Sequence, residues 1–155
     1  MKLSQDVTWR LLQGFGWIVN RAPHGLAVRL GEWVGVLVWF FSRARVDRAE
    51  ARCVRVLQVG VTTARAIVKE SYRNLGRGLA EALRLPSLCP GLMDYIDIHG
   101  EENLKEALAK GKGVVALTAH FGNWEFAAAA LALKGYPMNA IGAEQRDPRI
   151  TDLVV

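Results

Sequence analysis

Hydrophobic and polar positions divide the chain into an apolar beginning, a polar helical middle and an alternating end. Residues 7–20 and 26–41 are dense in Trp, Phe, Leu and Val, yet Arg10, Arg21, Arg29, Glu32 and Arg43 interrupt or bound them. The longest uncharged runs, 11–20 and 33–42, are about half of the roughly 20 consecutive apolar residues that a spanning helix needs. The pattern therefore predicts helices lying in a membrane interface. Trp9, Trp17, Trp33 and Trp39 fit that placement, because indoles favour the boundary between headgroups and hydrocarbon. A pair of core helices would show the same pattern. Asp6 follows Lys2 closely and no small-residue cleavage site ends the apolar segment, which argues against a removed signal peptide.

The middle reads as polar helix. Asp47 caps a first helix to about Gln58, Gly60 breaks it, and Thr62 caps a second that runs to Leu85 before Pro86. Ile67, Leu75, Leu79 and Leu83 mark its expected buried face at near-helical spacing. Arg65, Lys69, Arg73 and Arg77 recur every four residues beside it, either to meet lipid phosphates or as a solvated face with Glu70 and Glu81 as partners.

After a linker at 86–90, residues 95–98 read as a short strand, 101–110 as a helix and 114–119 as a buried strand. A helix at 124–134 stopped by Gly135, and a third strand at 138–142, complete the alternation. This predicts an α/β fold, with helices packed on a mainly parallel sheet and the active site at the carboxyl ends of its strands. Another helix starts near Gln145, with Pro148 in its first turn.

Composition narrows the partners. A chain of 155 residues, 51% of them hydrophobic, has material for one domain with a real core. The expected organisation is residues 1–45 as N-terminal hydrophobic, membrane-associated helices and 46–155 as an α/β domain. The net charge of +5 attracts anionic partners. Nucleic acid is not indicated, since no aromatic-basic RNA motif or DNA-binding pattern is present. An anionic membrane surface fits better, because apolar and cationic residues occur together. Cys53 and Cys89 lack metal or redox spacing and are compatible with a reducing compartment, which suggests the cytoplasmic side.

The chemistry concentrates at His120, at the end of the expected central strand. A neutral imidazole can take a proton from an attacking hydroxyl, and a carboxylate can fix its tautomer and stabilise the imidazolium. Glu125 falls five residues on, in the first turn of the next helix, across a tight turn that Gly122 permits. Backbone N–H groups around Asn123 and Trp124 can hold a developing oxyanion. The spacing suits a general-base site for acyl transfer and equally a hydrogen-bonded structural histidine. No metal is expected, since His24 and His99 have no ligand-spaced neighbours and no His-Glu-x-x-His pattern occurs.

The wider string Gly111-Lys-Gly-Val-Val-Ala-Leu-Thr-Ala-His120-Phe-Gly-Asn-Trp-Glu125 resembles the signature of the bacterial lipid A biosynthesis acyltransferases, the lauroyl and myristoyl transferases. These carry the histidine, four-residue gap, acidic-residue motif of the glycerolipid acyltransferases. Tyr72-Arg-Asn-Leu-Gly76, Glu81, Leu83-Arg-Leu-Pro86 and Ile98-His-Gly-Glu-Glu102 extend the likeness upstream. The resemblance implies a glycerolipid-acyltransferase-like fold, with His120 as general base and Glu125 as its partner. It implies an acyl carrier protein thioester or acyl-CoA as donor, no cofactor, and a hydroxyl of a lipid A precursor as acceptor. It also implies attachment to the cytoplasmic side of the bacterial inner membrane through the N-terminal region. An arginine after the third strand contributes to such sites, and Arg146 is the candidate, although Asp147-Pro148 follows it directly where relatives have a few residues and then Asn-Pro. Phosphatidylinositol mannosides remain an alternative acceptor. Members of that family are longer, so the resemblance implies their N-terminal half, and a catalytically inactive membrane-associated fragment is the competing expectation.

Overall fold

The computed structural model describes residues 2–119, 121–139 and 147–150. Their regular structure is α1 (Lys2–Arg21), α2 (His24–Phe41), α3 (Arg43–Leu57), α4 (Val61–Leu88), a 3₁₀ segment (Cys89–Asp94), α5 (Glu101–Ala109) and α6 (Trp124–Leu133). The chain forms two units: Met1–Arg84 with Asn139–Val155, and Leu85–Met138.

In the first unit, Pro23 breaks the chain between α1 and α2, and its carbonyl accepts the Leu26 and Ala27 N–H groups, each at 3.0 Å. The α2 helix then crosses α4 backbone to backbone. A Cβ added at Gly35 would lie 2.1 Å from the Tyr72 carbonyl oxygen, and one added at Gly31 would lie 2.4 Å from that of Gly76. Only glycine permits such an approach. The same closeness selects the face that α4 buries, which is Ala64, Val68, Gly76, Ala80 and Arg84.

That face corrects the stripe expected from hydrophobic spacing. Ile67, Leu75 and Leu79 are 39%, 65% and 38% exposed, and of the four expected residues Leu83 is the one that packs against a core cluster. Large apolar side chains would hold the helices apart, so small ones take the contact and large ones are displaced outward. One cluster joins Val19, Ala27 and Ala80, while a second joins Trp39, Val46 and Val68.

Charge ties the same crossing together. Glu32 of α2 accepts from Arg77 at 2.7 Å and from Arg73 at 3.0 Å, and Glu70 pairs with both arginines at 3.5 and 3.1 Å. Hydrogen bonds from Arg77 and Arg73 hold the Glu32 carboxyl below the ordinary carboxylate range. Arg84, buried on α4, donates to the Val19 and Ala22 carbonyls at 2.7 and 2.6 Å, near the end of α1 where helix carbonyls lack intrahelical partners.

In the second unit α6 packs on the 3₁₀ segment, with Leu92 and Ala130 fully buried. The expected parallel sheet is absent: no strand occurs among the described residues, so the α/β assignment is overturned and the described fold is helical. Residues 95–98 carry no ladder. Residues 114–119 are likewise unpaired, and Val115 and Leu117 are 88% and 94% exposed. β-Branched composition suits a pleated surface but does not create one; a strand needs a neighbour to take its N–H and C=O groups. Of the third expected strand, residues 138 and 139 are not extended in a ladder and 140–142 lie outside the described residues.

The expected helices hold more closely. α3 begins four residues before Asp47, and α4 continues through Pro86. Among the described residues no single helix is long and apolar enough to cross a bilayer; α2 and α3 pass by length and composition only together, bent by 92°.

Candidate active site

The start of α6 follows from three residues. Gly122 has φ +63°, a left-handed conformation that L side chains rarely adopt, and an added Cβ there would meet nothing within 4 Å. Backbone conformation, not crowding, calls for glycine. Asn123 then caps the helix, its side-chain oxygen accepting the Phe126 N–H at 3.3 Å. Glu125 is consequently the second residue of α6, partly buried, in the turn where the helix dipole favours a carboxylate.

His120 and Arg146 lie outside the described residues. The structure therefore brings together Gly122, Asn123, Trp124 and Glu125 on one turn, the segment that directly follows His120 in the chain. Trp124 is 37% exposed and Phe121 90% exposed, so apolar surface flanks the turn. The Phe126 N–H, further into the same turn, is taken by the Asn123 cap. Among the described residues no three His, Cys, Asp or Glu side chains group as metal ligands.

One anchoring constellation was not anticipated from sequence. Glu101, the first residue of α5, accepts from Lys134 and, at 2.7 Å, from the Tyr136 hydroxyl; Lys105 pairs with it at 3.3 Å. The hydrogen bonds from Lys134 and Tyr136 lower its carboxyl from 4.5 to about 2, and the same bond to Glu101 raises the Tyr136 phenol. This pins the end of α6 to the beginning of α5. The legible signal was a pair of polar residues flanking Gly135, whose φ of +87° turns the chain back.

The sequence family described as bacterial lipid A biosynthesis acyltransferase matches residues 2–155. The chain belongs to that family. Comparisons with curated proteins and with solved structures gave no match. Acyl transfer in lipid A biosynthesis is accordingly the chemistry of this family.

Proposed function

We propose that this lipid A acyltransferase family member uses His120 as general base and Glu125 as its orienting partner. The imidazole takes the proton of a lipid A precursor hydroxyl, and the oxygen attacks the carbonyl carbon of an acyl carrier protein thioester. The tetrahedral oxyanion collapses, the carbon–sulfur bond breaks, and the carrier thiolate recovers the proton from the imidazolium. General-base assistance of this kind contributes about 10²- to 10⁴-fold in rate. The observation that carries the reading is the left-handed Gly122 followed by the Asn123 cap, which sets Glu125 in the first turn of α6 five residues after His120.

Exposed Trp17, Trp33, Phe40 and Phe41, together with a net charge of +5, support a position on the cytoplasmic face of the inner membrane. Arg146 is assigned a phosphate or carrier contact. Exposure of Val115 and Leu117 favours a second reading, in which the 155-residue chain docks on a bilayer without turning over by itself. Acyl transfer by the purified chain in membranes, with acyl carrier protein or coenzyme A thioesters as donors, separates the two. Turnover that disappears in both His120→Ala and Glu125→Ala supports the enzyme; wild-type turnover in either variant refutes the assignment.

A further inference from the structure

At the elbow between α2 and α3, cations crowd onto one indole. The Arg43 and Arg65 guanidinium carbons lie 5.4 Å from the Trp39 ring centroid and the Lys69 ammonium 5.3 Å from it; Arg43 also lies 5.2 Å from the Phe40 ring. None of the three pairs with a carboxylate among the described residues, whereas Arg73 and Arg77, the next two members of the same row on α4, are taken by Glu32 and Glu70. An open pocket beside the cluster is lined by Phe41, Ser42, Arg43, Ala44 and Arg45. Phe40 and Phe41 are 52% and 77% exposed there, the end of an apolar face on α2 that includes Leu37 and Trp33.

Like charges gathered at an apolar surface repel one another, and the ring face relieves only part of that cost. An anion seated among them relieves the rest. We infer that Arg43, Arg65 and Lys69 form a docking site for the headgroup phosphates of anionic phospholipids, with Phe40 and Phe41 entering the acyl boundary beside them. The neighbouring aromatics decide the occupant. A soluble acidic protein complements the charge but leaves Phe40 and Phe41 in water, whereas a bilayer covers both. The inference rests on the membrane-facing part of the proposed function and is independent of the His120 step.

Vesicle flotation of the full chain tests it, using phosphatidylcholine alone and phosphatidylcholine with one third phosphatidylglycerol. Each cation near an anionic surface strengthens partitioning about fivefold, so Arg43→Gln/Arg65→Gln/Lys69→Gln should lose roughly 100-fold on the anionic vesicles and little on the neutral ones. Arg43→Lys/Arg65→Lys should retain binding, and unchanged helical circular dichroism would show that the variants fold. Removing three exposed cations elsewhere, Arg48→Gln/Arg52→Gln/Arg55→Gln on α3, should cost less than tenfold. Equal losses in the two triple variants, or no wild-type preference for the anionic vesicles, would overturn the site. So would loss of acyl carrier protein binding in the cluster variant with its vesicle preference intact. Acyl transfer is measured separately, so failure of the His120 mechanism leaves this readout untouched.

Discussion

Gly35→Ala places two physical effects in opposition, and the structure decides between them. Inside a helix the substitution gains about 1 kcal/mol from the better propensity of alanine. Against this, the new Cβ would sit 2.1 Å from the Tyr72 carbonyl oxygen, 2.9 Å from its carbonyl carbon and 3.1 Å from the Arg73 Cα. All three are backbone atoms, so no rotamer change relieves them, and α2 must move away from α4 by more than 1 Å to reach ordinary contact. Overpacking of well-packed sites costs about 1–3 kcal/mol and occasionally more, and a backbone clash belongs at the upper end. Separation also stretches the 2.7 and 3.0 Å bonds from Arg77 and Arg73 to Glu32.

The net expectation is a loss of about 2 kcal/mol, or roughly 4–8 °C in melting temperature for a chain of this size. Thermal unfolding in mild detergent, followed by helical circular dichroism, measures it. Gly14→Ala and Gly78→Ala are the controls: both are helical, neither Cβ would meet anything within 4 Å, and both should raise the melting temperature. Gly31→Ala/Gly35→Ala should cost less than the sum of the single changes, because one displacement of α2 relieves both clashes. A Gly35→Ala protein as stable as wild type, or controls that fall equally, would refute the backbone-to-backbone crossing.

Other changes probe the remaining joints. Arg84→Met should destabilise the first unit by about 1–3 kcal/mol in urea unfolding, since the Val19 and Ala22 carbonyls lose a charged donor. Asn123→Ala should cost about 1 kcal/mol through the lost cap, and should lower any acyl transfer by loosening the turn before Glu125. Glu101→Gln tests a pH window. The folded carboxyl is depressed from 4.5 to about 2, so its contribution is complete above pH 4.5 and fades as pH falls toward 2. Wild type should therefore exceed Glu101→Gln in stability at neutral pH, with the gap closing across that acid range.

Legibility followed the range of the interaction. The starts of α5 and α6 were readable because their signals are local: a glycine before Glu101, and a glycine shortly before Trp124. The strands were not, because residues 114–119 supply only one side of a ladder and composition cannot report whether a neighbour exists. The buried face of α4 was misassigned for a related reason. Hydrophobic spacing marks burial by size, whereas the partner surface, Gly31 and Gly35, rewards smallness. The Gly-x-x-x-Gly spacing in α2 was the available clue. At the site, Gly122 and Glu125 were legible as a turn and a first-turn acid, the capping role of Asn123 comes from the structure, and His120 and Arg146 fall outside the described residues.

The misassigned helix also shows why packing and surface chemistry are inseparable in the first unit. Residues four apart on a helix drift by only about 40°, so each such row stays on one side for several turns. On α4 the row Ala64, Val68, Gly76, Ala80 and Arg84 meets the other helices. The next row, one residue on, is divided by its neighbours: Arg73 and Arg77 reach Glu32, but Arg65 and Lys69 reach Trp39, where no carboxylate pairs with them among the described residues. The row of Ile67, Leu75 and Leu79 is left outward. The phase of the glycines on α2 thus fixes all three assignments at once. Shifting that crossing by one residue would bury the cation row in one direction or the apolar row in the other, so the small-residue contact is what leaves both apolar and cationic surface exposed.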